Sequence, residues 1–306
     1  MKVFVTGVGG QLGHDLINEL TKRNIECVGS DLAESYSGIM DGSAAVSAPY
    51  VSLDITDRDA VMKAITDIKP DAVMHCAAWT AVDAAEDEDK KDIVFKVNAN
   101  GTANIADACK SVGASMLYLS TDYVFDGKGE KPWDPDCTDY APLSVYGLSK
   151  LRGEEAVRER LTKYFIVRIA WVFGLNGKNF IRTMLKLSET RDELNVVCDQ
   201  IGTPTYTYDL ARLLVDMILT DKYGTYHATN EGGYISWADF AEEIMKEAGR
   251  STKINRVTTE EYGVSKAARP FNSRLDKSKL AANGFTPLPD WKDALKRYLR
   301  EMEAIS

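Results

Sequence analysis

The chain has 306 residues, 44% of them hydrophobic, and its 46 acidic and 37 basic side chains give a net charge of −9. This charge argues against a nucleic-acid or anionic-membrane surface, and no apolar run reaches the roughly 20 residues of a membrane span. Five scattered cysteines without a CxxC pair and three distant histidines favour a reduced, cytoplasmic protein without a metal cluster.

Short apolar runs alternate with amphipathic runs through the first half of the chain. Strands are predicted at residues 2–6, 25–30, 50–54, 72–78, 115–120 and 164–170. Helical periodicity occurs at residues 11–23, 58–68, 94–112 and 144–161. The segment 33–49 is small and polar, which predicts a long surface loop. This alternation is typical of a parallel sheet with crossover helices.

The regular alternation fades after about residue 171. Helical patterns at residues 179–189, 207–220, 236–249 and 291–303 are mixed there with short strands. We therefore predict an α/β fold, a Rossmann-type doubly wound parallel sheet with a smaller C-terminal α/β substrate-binding cap. Residues 1–171 would form the dinucleotide-binding domain, to which about 204–230 return, and residues 172–203 and 231–306 would form the cap.

The first predicted strand runs into a glycine turn, TGVGGQLG, with Gly7, Gly10 and Gly13 spaced three apart. Glycines at a strand–helix junction let backbone N–H groups approach a pyrophosphate, and the helix N-terminus favours its charge. The second strand ends at Asp31, whose carboxylate can accept both hydroxyls of an adenosine ribose and repels a 2′-phosphate. A dinucleotide site is therefore expected here, and Asp31 taken alone favours NADH.

Further positions at strand ends fit the same site. Asp54 and Ile55 follow the third strand, where the adenine would lie, and Ala77 and Ala78 follow the fourth and are small enough to let a cofactor pass. The fifth strand ends in the polar run Ser120-Thr121-Asp122-Tyr123. Ligands bind at the carboxyl edge of a parallel sheet, so hydroxyls emerging there can meet a substrate oxygen.

Two segments, VYGLSK (145–150) and EYGVSK (261–266), each place a tyrosine four residues before a lysine. On a helix this spacing puts phenol and ammonium on one face. Tyr146 and Lys150 open a helix soon after the polar strand end, whereas no such element precedes Tyr262 and Pro270 follows closely. We predict chemistry at Tyr146 and only surface or packing at Tyr262.

The glycine turn, the strand-end Ser-Thr and Tyr-x-x-x-Lys occur in the order and spacing of the extended short-chain dehydrogenases/reductases, which the chain resembles. Longer segments are similar to the family of dTDP-4-dehydrorhamnose reductases, among them STDYVFDG (120–127), PLSVYGLSKLRGE (142–154) and VVCDQIGTPTYTYDLA (196–211). The resemblance covers nearly the whole chain. It implies reduction of the 4-keto group of dTDP-4-dehydro-L-rhamnose by NADPH or NADH.

The resemblance also implies roles for single residues. Tyr146 would donate the proton, Lys150 would hold the nicotinamide ribose and favour the phenolate, and Thr121 would bond the keto oxygen. Asn98 would order the surroundings of the lysine, and Asp122 and Trp171 would contact the sugar. Arg269 would bind the nucleotide phosphates or form a structural ion pair. Cofactor contacts are expected from Gly7, Gly10, Gln11, Leu12, Gly13, Asp31, Asp54, Ile55, Ala77, Ala78, Thr80, Tyr146 and Lys150.

Some features depart from the family or leave choices open. His75 and Trp79 stand where relatives more often have Asn and Tyr, and we expect both to line the cofactor's edge. The 33–49 loop could accommodate a 2′-phosphate, so NADH and NADPH both remain open. Some relatives dimerise through Mg²⁺ held by acidic side chains; this sequence has no acidic cluster specific enough to claim the metal, and a homodimer stays open.

Three alternatives compete with this reductase. A sugar-nucleotide dehydratase or epimerase would use the same scaffold, but dehydratases commonly have Glu where Tyr123 follows Thr-Asp. A reductase of another NDP-4-keto sugar would share every motif. A non-catalytic subunit resembling the regulatory subunit of methionine adenosyltransferase would bind a partner protein, although an intact Thr121, Tyr146 and Lys150 argue for catalysis.

Overall fold

The computed structural model describes residues 1–263 and 265–304 of the chain; Val264 of the EYGVSK segment and residues 305–306 of the predicted cap lie outside these ranges. The strands are β1 (Lys2–Thr6), β2 (Glu26–Asp31), β3 (Tyr50–Ser52), β4 (Ala72–His75), β5 (Ser115–Thr121), β6 (Tyr164–Ile169), β7 (Val172–Phe173), β8 (Glu193–Val197), β9 (Ile201–Gly202), β10 (Thr205–Tyr206), β11 (Gly224–His227), β12 (Ile235–Ser236) and β13 (Lys253–Val257). The α-helices are α1 (Gln11–Lys22), α2 (Ala44–Ser47), α3 (Arg58–Ile68), α4 (Lys91–Phe95), α5 (Thr102–Val112), α6 (Val145–Arg160), α7 (Phe180–Ser188), α8 (Thr207–Ile218), α9 (Trp237–Glu247), α10 (Thr259–Tyr262), α11 (Ser278–Ala282) and α12 (Trp291–Ala304).

Seven of these strands form one sheet in the order β11-β6-β5-β4-β1-β2-β3, and every neighbouring pair is parallel. Chain order reverses between β1 and β4, which is the topological switch point at which open α/β sheets bind ligands. The predicted doubly wound parallel sheet is confirmed. Its seventh strand, β11, comes from the 204–230 stretch that was expected to return to the sheet.

The sheet has a hydrophobic core on each face. Val3 and Val5 of β1 point to the face that α1 and α8 cover, and Phe4 between them points to the opposite face, where it packs in the same cluster as Ile105 of α5. All three β1 residues are fully buried, as expected of a strand whose two faces are both covered.

The C-terminal part of the chain adds three small two-stranded sheets, which pair β10 with β7, β12 with β9 and β13 with β8. A third hydrophobic cluster lies among α7, α9 and α12. The boundary between a dinucleotide-binding domain and a cap stays a prediction. In the described part of the chain, no helix is long and apolar enough to span a membrane.

Two segments differ from the sequence prediction. The 33–49 segment contains the short helix α2 and is therefore not loop throughout. The helix predicted over 94–112 starts earlier, at Lys91, and a π-helical turn over Lys96–Gly101 interrupts it. This turn contains Asn98, whose side chain bonds the backbone of Trp79, and π-turns are frequent at functional sites.

Candidate active site

The glycine turn between β1 and α1 is shaped by backbone that approaches too closely for a side chain. Gly7 has φ +76°, and a Cβ there would lie 2.6 Å from the backbone nitrogen of Ala77. A Cβ on Gly13 would lie 2.2 Å from the carbonyl oxygen of Gly7. Glycine is therefore required at both positions. The helix α1 begins directly after the turn, and its first N–H groups have no partner within the helix.

A cleft of about 870 Å³ runs along the carboxyl edge of the sheet from this turn. All residues predicted to touch the cofactor line it: Gly7, Gly10, Gln11, Leu12, Gly13, Asp31, Asp54, Ile55, Ala77, Ala78, Thr80, Tyr146 and Lys150. Thr121, Asp122 and Trp171 line it as well. The glycine cradle and the helix N-terminus provide what a dinucleotide pyrophosphate needs, so the residues present fit the expected cofactor.

Asp31 lines the cleft beside the glycine turn. One of its carboxylate oxygens accepts a hydrogen bond from Gly9 N at 2.8 Å, and the other accepts from Leu32 N at 2.8 Å. A Cβ on Gly9 would lie 3.0 Å from Asp31 Oδ2, so the glycine turn and the carboxylate are in close contact. The negative charge is thereby held in place at the position where an adenosine ribose is expected.

Tyr146 lies at the start of α6, whose first turn is capped by Ser144 Oγ accepting from Gly147 N at 3.1 Å. Its ring meets Tyr123 edge-on, with centroids 5.5 Å apart and planes at 79°. Burial and the charge of Asp122 raise the pKa of Tyr146 well above its ordinary value, and a hydrogen bond with Thr121 opposes that rise. The phenol is therefore protonated at neutral pH and is close to the Thr121 hydroxyl.

Lys150 lies one helical turn further along α6 and is 4% exposed. Burial lowers the pKa of its ammonium to about 7, while Glu154 and Cys76 raise it in part. Such a shift is typical of catalytic lysines in low-dielectric clefts. Tyr146, Lys150 and Thr121, which come from α6 and the end of β5, are thus brought together as predicted.

Asn98 lies beneath the cleft rather than in its wall. Its side chain accepts from Trp79 N at 2.8 Å and donates to Trp79 O at 3.1 Å and to Ser149 Oγ at 2.9 Å. Ser149 Oγ donates in turn to the carbonyl oxygen of Tyr146 at 2.7 Å. Asn98 therefore ties the segment after β4 to the first turns of α6.

The end of the cleft at β5, where a sugar is expected, contains polar atoms without a partner in the described part of the chain. Asp122 Oδ2 and Ser120 Oγ are buried and form no hydrogen bond among the described residues. Burial raises the pKa of Asp122 to about 6, although the hydroxyls of Ser273 and Thr121 lower it in part; Thr121 Oγ1 donates to the other oxygen, Oδ1, at 3.0 Å. Trp171 has φ +50° and stacks on Trp237 at a centroid distance of 3.8 Å. Unpaired buried oxygens in the same cleft as an indole are suited to a hydroxylated, partly apolar ring.

Arg269 does not line the cleft; it forms a bidentate ion pair with Asp83, at 3.1 and 2.7 Å. Its expected contact with phosphate stays a prediction beside the structural ion pair that was also considered. Tyr262 is 60% exposed at the end of the four-residue helix α10, and Lys266 pairs with Asp87. Tyr262 and Lys266 therefore do not share a face of α10, which ends at Tyr262.

One expectation is wrong, because His75 does not line the cofactor's edge. It is 1% exposed and accepts or donates hydrogen bonds at Thr6 Oγ1 (2.7 Å) and Thr102 Oγ1 (3.2 Å) behind the cleft. Its position at the last residue of β4 directs the side chain into the layer beneath, whereas Trp79, in the loop that follows, lines the cleft as expected.

Sequence reasoning missed a segment that covers the glycine turn. Asn176 Nδ2 donates to Gly9 O at 3.0 Å and to Gly10 O at 3.3 Å, and Asn179 Nδ2 donates to Gln11 Oε1 at 3.0 Å. Asn176, Gly177 and Lys178 line the cleft. No regular pattern marks this loop; the run of Asn and Gly after β7 was its only signal.

A buried ion pair below α6 was also missed. Glu154 accepts two hydrogen bonds from the Arg168 guanidinium, both at 2.8 Å, and the two side chains are fully buried. Arg158 donates to the same carboxylate at 2.6 Å. The pair joins α6 to β6 and thus fixes the helix that bears Tyr146 and Lys150.

The chain is similar to known proteins over nearly its whole length. The family model described as RmlD substrate binding domain matches residues 1–304. The spore coat polysaccharide biosynthesis protein SpsK of Bacillus subtilis is 39% identical over 300 residues, covering 98% of this chain and 97% of that protein. The dTDP-4-dehydrorhamnose reductase of Streptomyces griseus is 40% identical over 298 residues, covering 95% of this chain and 91% of that protein. A crystal structure of dTDP-4-dehydrorhamnose reductase from Bacillus anthracis in complex with NADP is 39% identical, with a TM-score of 0.87 over 98% of this chain and 99% of that chain.

Proposed function

Since the chain belongs to the family of dTDP-4-dehydrorhamnose reductases, we propose that it reduces the 4-keto group of dTDP-4-dehydro-L-rhamnose to dTDP-L-rhamnose with NADPH or NADH. The observation on which this proposal depends is the meeting of Tyr146, Lys150 and Thr121 at one end of a cleft whose other part is built by the glycine turn. The enzyme would act in the cytoplasm on a small sugar nucleotide. Whether it works as a homodimer stays a prediction.

The residues that would hold the cofactor are distributed along the cleft. Gly7, Gly10 and Gly13 would receive the pyrophosphate at the N-terminus of α1, and Asp31 would accept the hydroxyls of the adenosine ribose. Lys150 would hold the hydroxyls of the nicotinamide ribose. When bound, the reduced nicotinamide supplies a hydride for the sugar carbonyl.

Tyr146 would give its phenolic proton to the keto oxygen as negative charge develops there. The raised pKa of Tyr146 keeps this proton available throughout neutral pH. An alkoxide is a far stronger base than a phenolate, so proton transfer to it is favourable even from a phenol of raised pKa. The Thr121 hydroxyl would donate to the same oxygen, and that bond strengthens as charge grows.

Substrate binding would use the unpaired oxygens at the sugar end. Asp122 Oδ2 and Ser120 Oγ would bond sugar hydroxyls, which removes the cost of leaving buried polar atoms without partners. The face of Trp171, held by its stack on Trp237, would cover the apolar side of a deoxyhexose. Oxygen partners and an aromatic face together favour a hydroxylated ring over a purely apolar ketone.

The test follows the absorbance of the reduced nicotinamide with dTDP-4-dehydro-L-rhamnose generated in situ, for NADH and NADPH separately. Rapid oxidation that depends on the sugar is expected, and it should fall sharply in Tyr146→Phe but not in Tyr262→Phe. No oxidation with either cofactor, despite measurable dinucleotide binding, would favour another keto sugar or the partner-binding subunit. Co-purification of a synthetase would separate those two.

A further inference from the structure

The ammonium group of Lys150 has an unusual partner. In residues 1–263 and 265–304 it forms no ion pair and no hydrogen bond, although the side chain is 4% exposed. Its Nζ instead lies 4.2 Å from the centroid of the Tyr118 ring. A cation at this distance over an aromatic face is attracted by the ring quadrupole, and the attraction is stronger when both groups are withdrawn from water.

Tyr118 is held rigidly in this position. It lies in the middle of β5, is fully buried, and its hydroxyl donates to the backbone oxygen of Lys150 at 3.2 Å. Its ring stacks on His75, with centroids 5.8 Å apart and planes at 23°. His75 is itself held by the hydroxyls of Thr6 and Thr102. The Tyr118 ring is therefore fixed by the bond of its hydroxyl and by the stack on His75.

A glycine in the interior of α6 makes this arrangement possible. A Cβ on Gly153 would lie 2.2 Å from Tyr118 Oη and 2.7 Å from the backbone oxygen of Asn98. Glycine lowers the stability of a helix interior, and φ at Gly153 is not positive, so backbone conformation does not require it. The close approach of Tyr118 to the helix does require it.

We propose that Tyr118 is a positioning residue of the reductase, whose ring face holds the charged ammonium of Lys150 at the nicotinamide end of the cleft. This inference rests on the proposed function, because it assigns Tyr118 a part in the work of Lys150. Tyr118 does not line the cleft and acts on the reaction only through the lysine. The aromatic face supplies attraction without a competing negative charge beside the phenol of Tyr146.

None of the other charged or titratable groups described around Lys150 forms an ion pair with its ammonium, so the Tyr118 ring is the group that holds it. Glu154 on the same helix favours the ammonium, but both of its oxygens are bonded to Arg168. Cys76, after β4, and His75, on β4, face the lysine as well. Burial lowers the pKa of His75 to about 3, so it is neutral, and burial raises that of Cys76 to about 12, so it stays a thiol.

Removal of the Tyr118 ring should lower the pKa of Lys150. Its pKa lies near 7 in the empty cleft, so the ammonium is lost as pH rises through that region. Removal of the ring face weakens the charged form and lowers this pKa further, by about one unit. The alkaline limb of kcat/KM for the cofactor, which reports the free enzyme, should move to lower pH by the same amount.

The experiment compares Tyr118→Leu with Tyr118→Phe, which keeps the ring and removes only the hydroxyl. A third variant has 4-fluorophenylalanine at position 118, which keeps the ring shape but has an electron-poor face. For each, kcat/KM for NADH is measured at a fixed, subsaturating concentration of keto sugar at pH values from roughly 5 to 10. The affinity for NADH is measured over the same range by energy transfer from tryptophan.

Tyr118→Phe should keep the wild-type alkaline limb, Tyr118→Leu should shift it down by about one pH unit, and 4-fluorophenylalanine should shift it less in the same direction. A merely structural role would lower kcat/KM equally at every pH. Coincident alkaline limbs for Tyr118→Leu and Tyr118→Phe, or no alkaline limb in any variant, would overturn the inference.

If the Leu variant fails to fold, comparison of the alkaline limbs of the Phe and 4-fluorophenylalanine variants tests the inference in its place. Absence of sugar-dependent oxidation in the wild type would instead reject the proposed function, and the pH dependence of NADH affinity would still test the role of Tyr118.

Discussion

Replacement of Tyr146 by Phe removes one oxygen atom and leaves the rest of the candidate site in place. The ring keeps its edge-on contact with Tyr123, and the Ser144 cap of α6 does not involve the phenol. Loss of a positioned proton donor typically lowers turnover by about 10²–10⁴, which is about 3–5 kcal/mol of transition-state stabilisation. Cofactor affinity should change by less than about tenfold, because the phenol contributes at most one neutral hydrogen bond to it.

The assay is steady-state oxidation of NADH and NADPH with the keto sugar, beside a titration of cofactor binding for each variant. Tyr262→Phe is the matched control, since Tyr262 is 60% exposed and stands four residues before a lysine in the same way. It should keep turnover near the wild-type value. Comparable losses from the two substitutions, or a Tyr146→Phe enzyme of nearly full activity, would refute the assignment of the proton donor.

Other substitutions test charge in the buried layers of the site. The pKa of Lys150 lies near 7 in the folded protein, below its ordinary 10.5, so the unfolded chain binds the extra proton between these values and stability rises with pH across that window. Urea unfolding should therefore show Lys150→Met more stable than wild type by a few kcal/mol at pH 7 and by little near pH 10; an equal gain at both would contradict this. Glu154→Gln leaves the Arg168 guanidinium buried without its anion, and the unfolding free energy should fall by about 3–5 kcal/mol. Asp31→Ser should raise kcat/KM for NADPH relative to NADH by about tenfold, because it removes a charge that repels a 2′-phosphate. An unchanged ratio of the two kcat/KM values would show that the 2′-phosphate of NADPH does not lie beside Asp31.

The parallel sheet could be predicted from the sequence because its strands are buried on both faces and stand between amphipathic helices. The six strands predicted in the first 171 residues all occur, with ends that differ by a few residues. The strand β11 has four residues and no apolar run, so nothing but its place in the returning segment pointed to it. The two-residue strands of the C-terminal part are likewise shorter than any period that a pattern can show.

Residues at the cleft wall could be predicted because topology brings the carboxyl ends of parallel strands to one edge. Thr121 follows from the end of β5 and Asp31 from the end of β2, and neither prediction needs knowledge of side-chain contacts. Arg269 is far along the chain from these strand ends, and its pairing with Asp83 depends on how a distant segment folds back. Long-range ion pairs of this kind have no signature in local sequence.

The layer beneath the cleft could not be predicted for a different reason. Tyr118 occupies a fully buried strand, where a tyrosine looks like any other core residue, and Gly153 stands in a helix, where a glycine looks like a weak point. A Cβ at position 153 would lie only 2.2 Å from the Tyr118 hydroxyl, and this close approach explains both the glycine and the tyrosine. The same close approach brings the ring face of Tyr118 under the ammonium of Lys150. The glycine in α6 and the buried tyrosine in β5 are therefore both explained by the contact between this ring and the helix. Gly153→Ala should therefore disturb the titration of Lys150 as Tyr118→Leu does, and this effect distinguishes a displaced ring from a helix that is merely more stable.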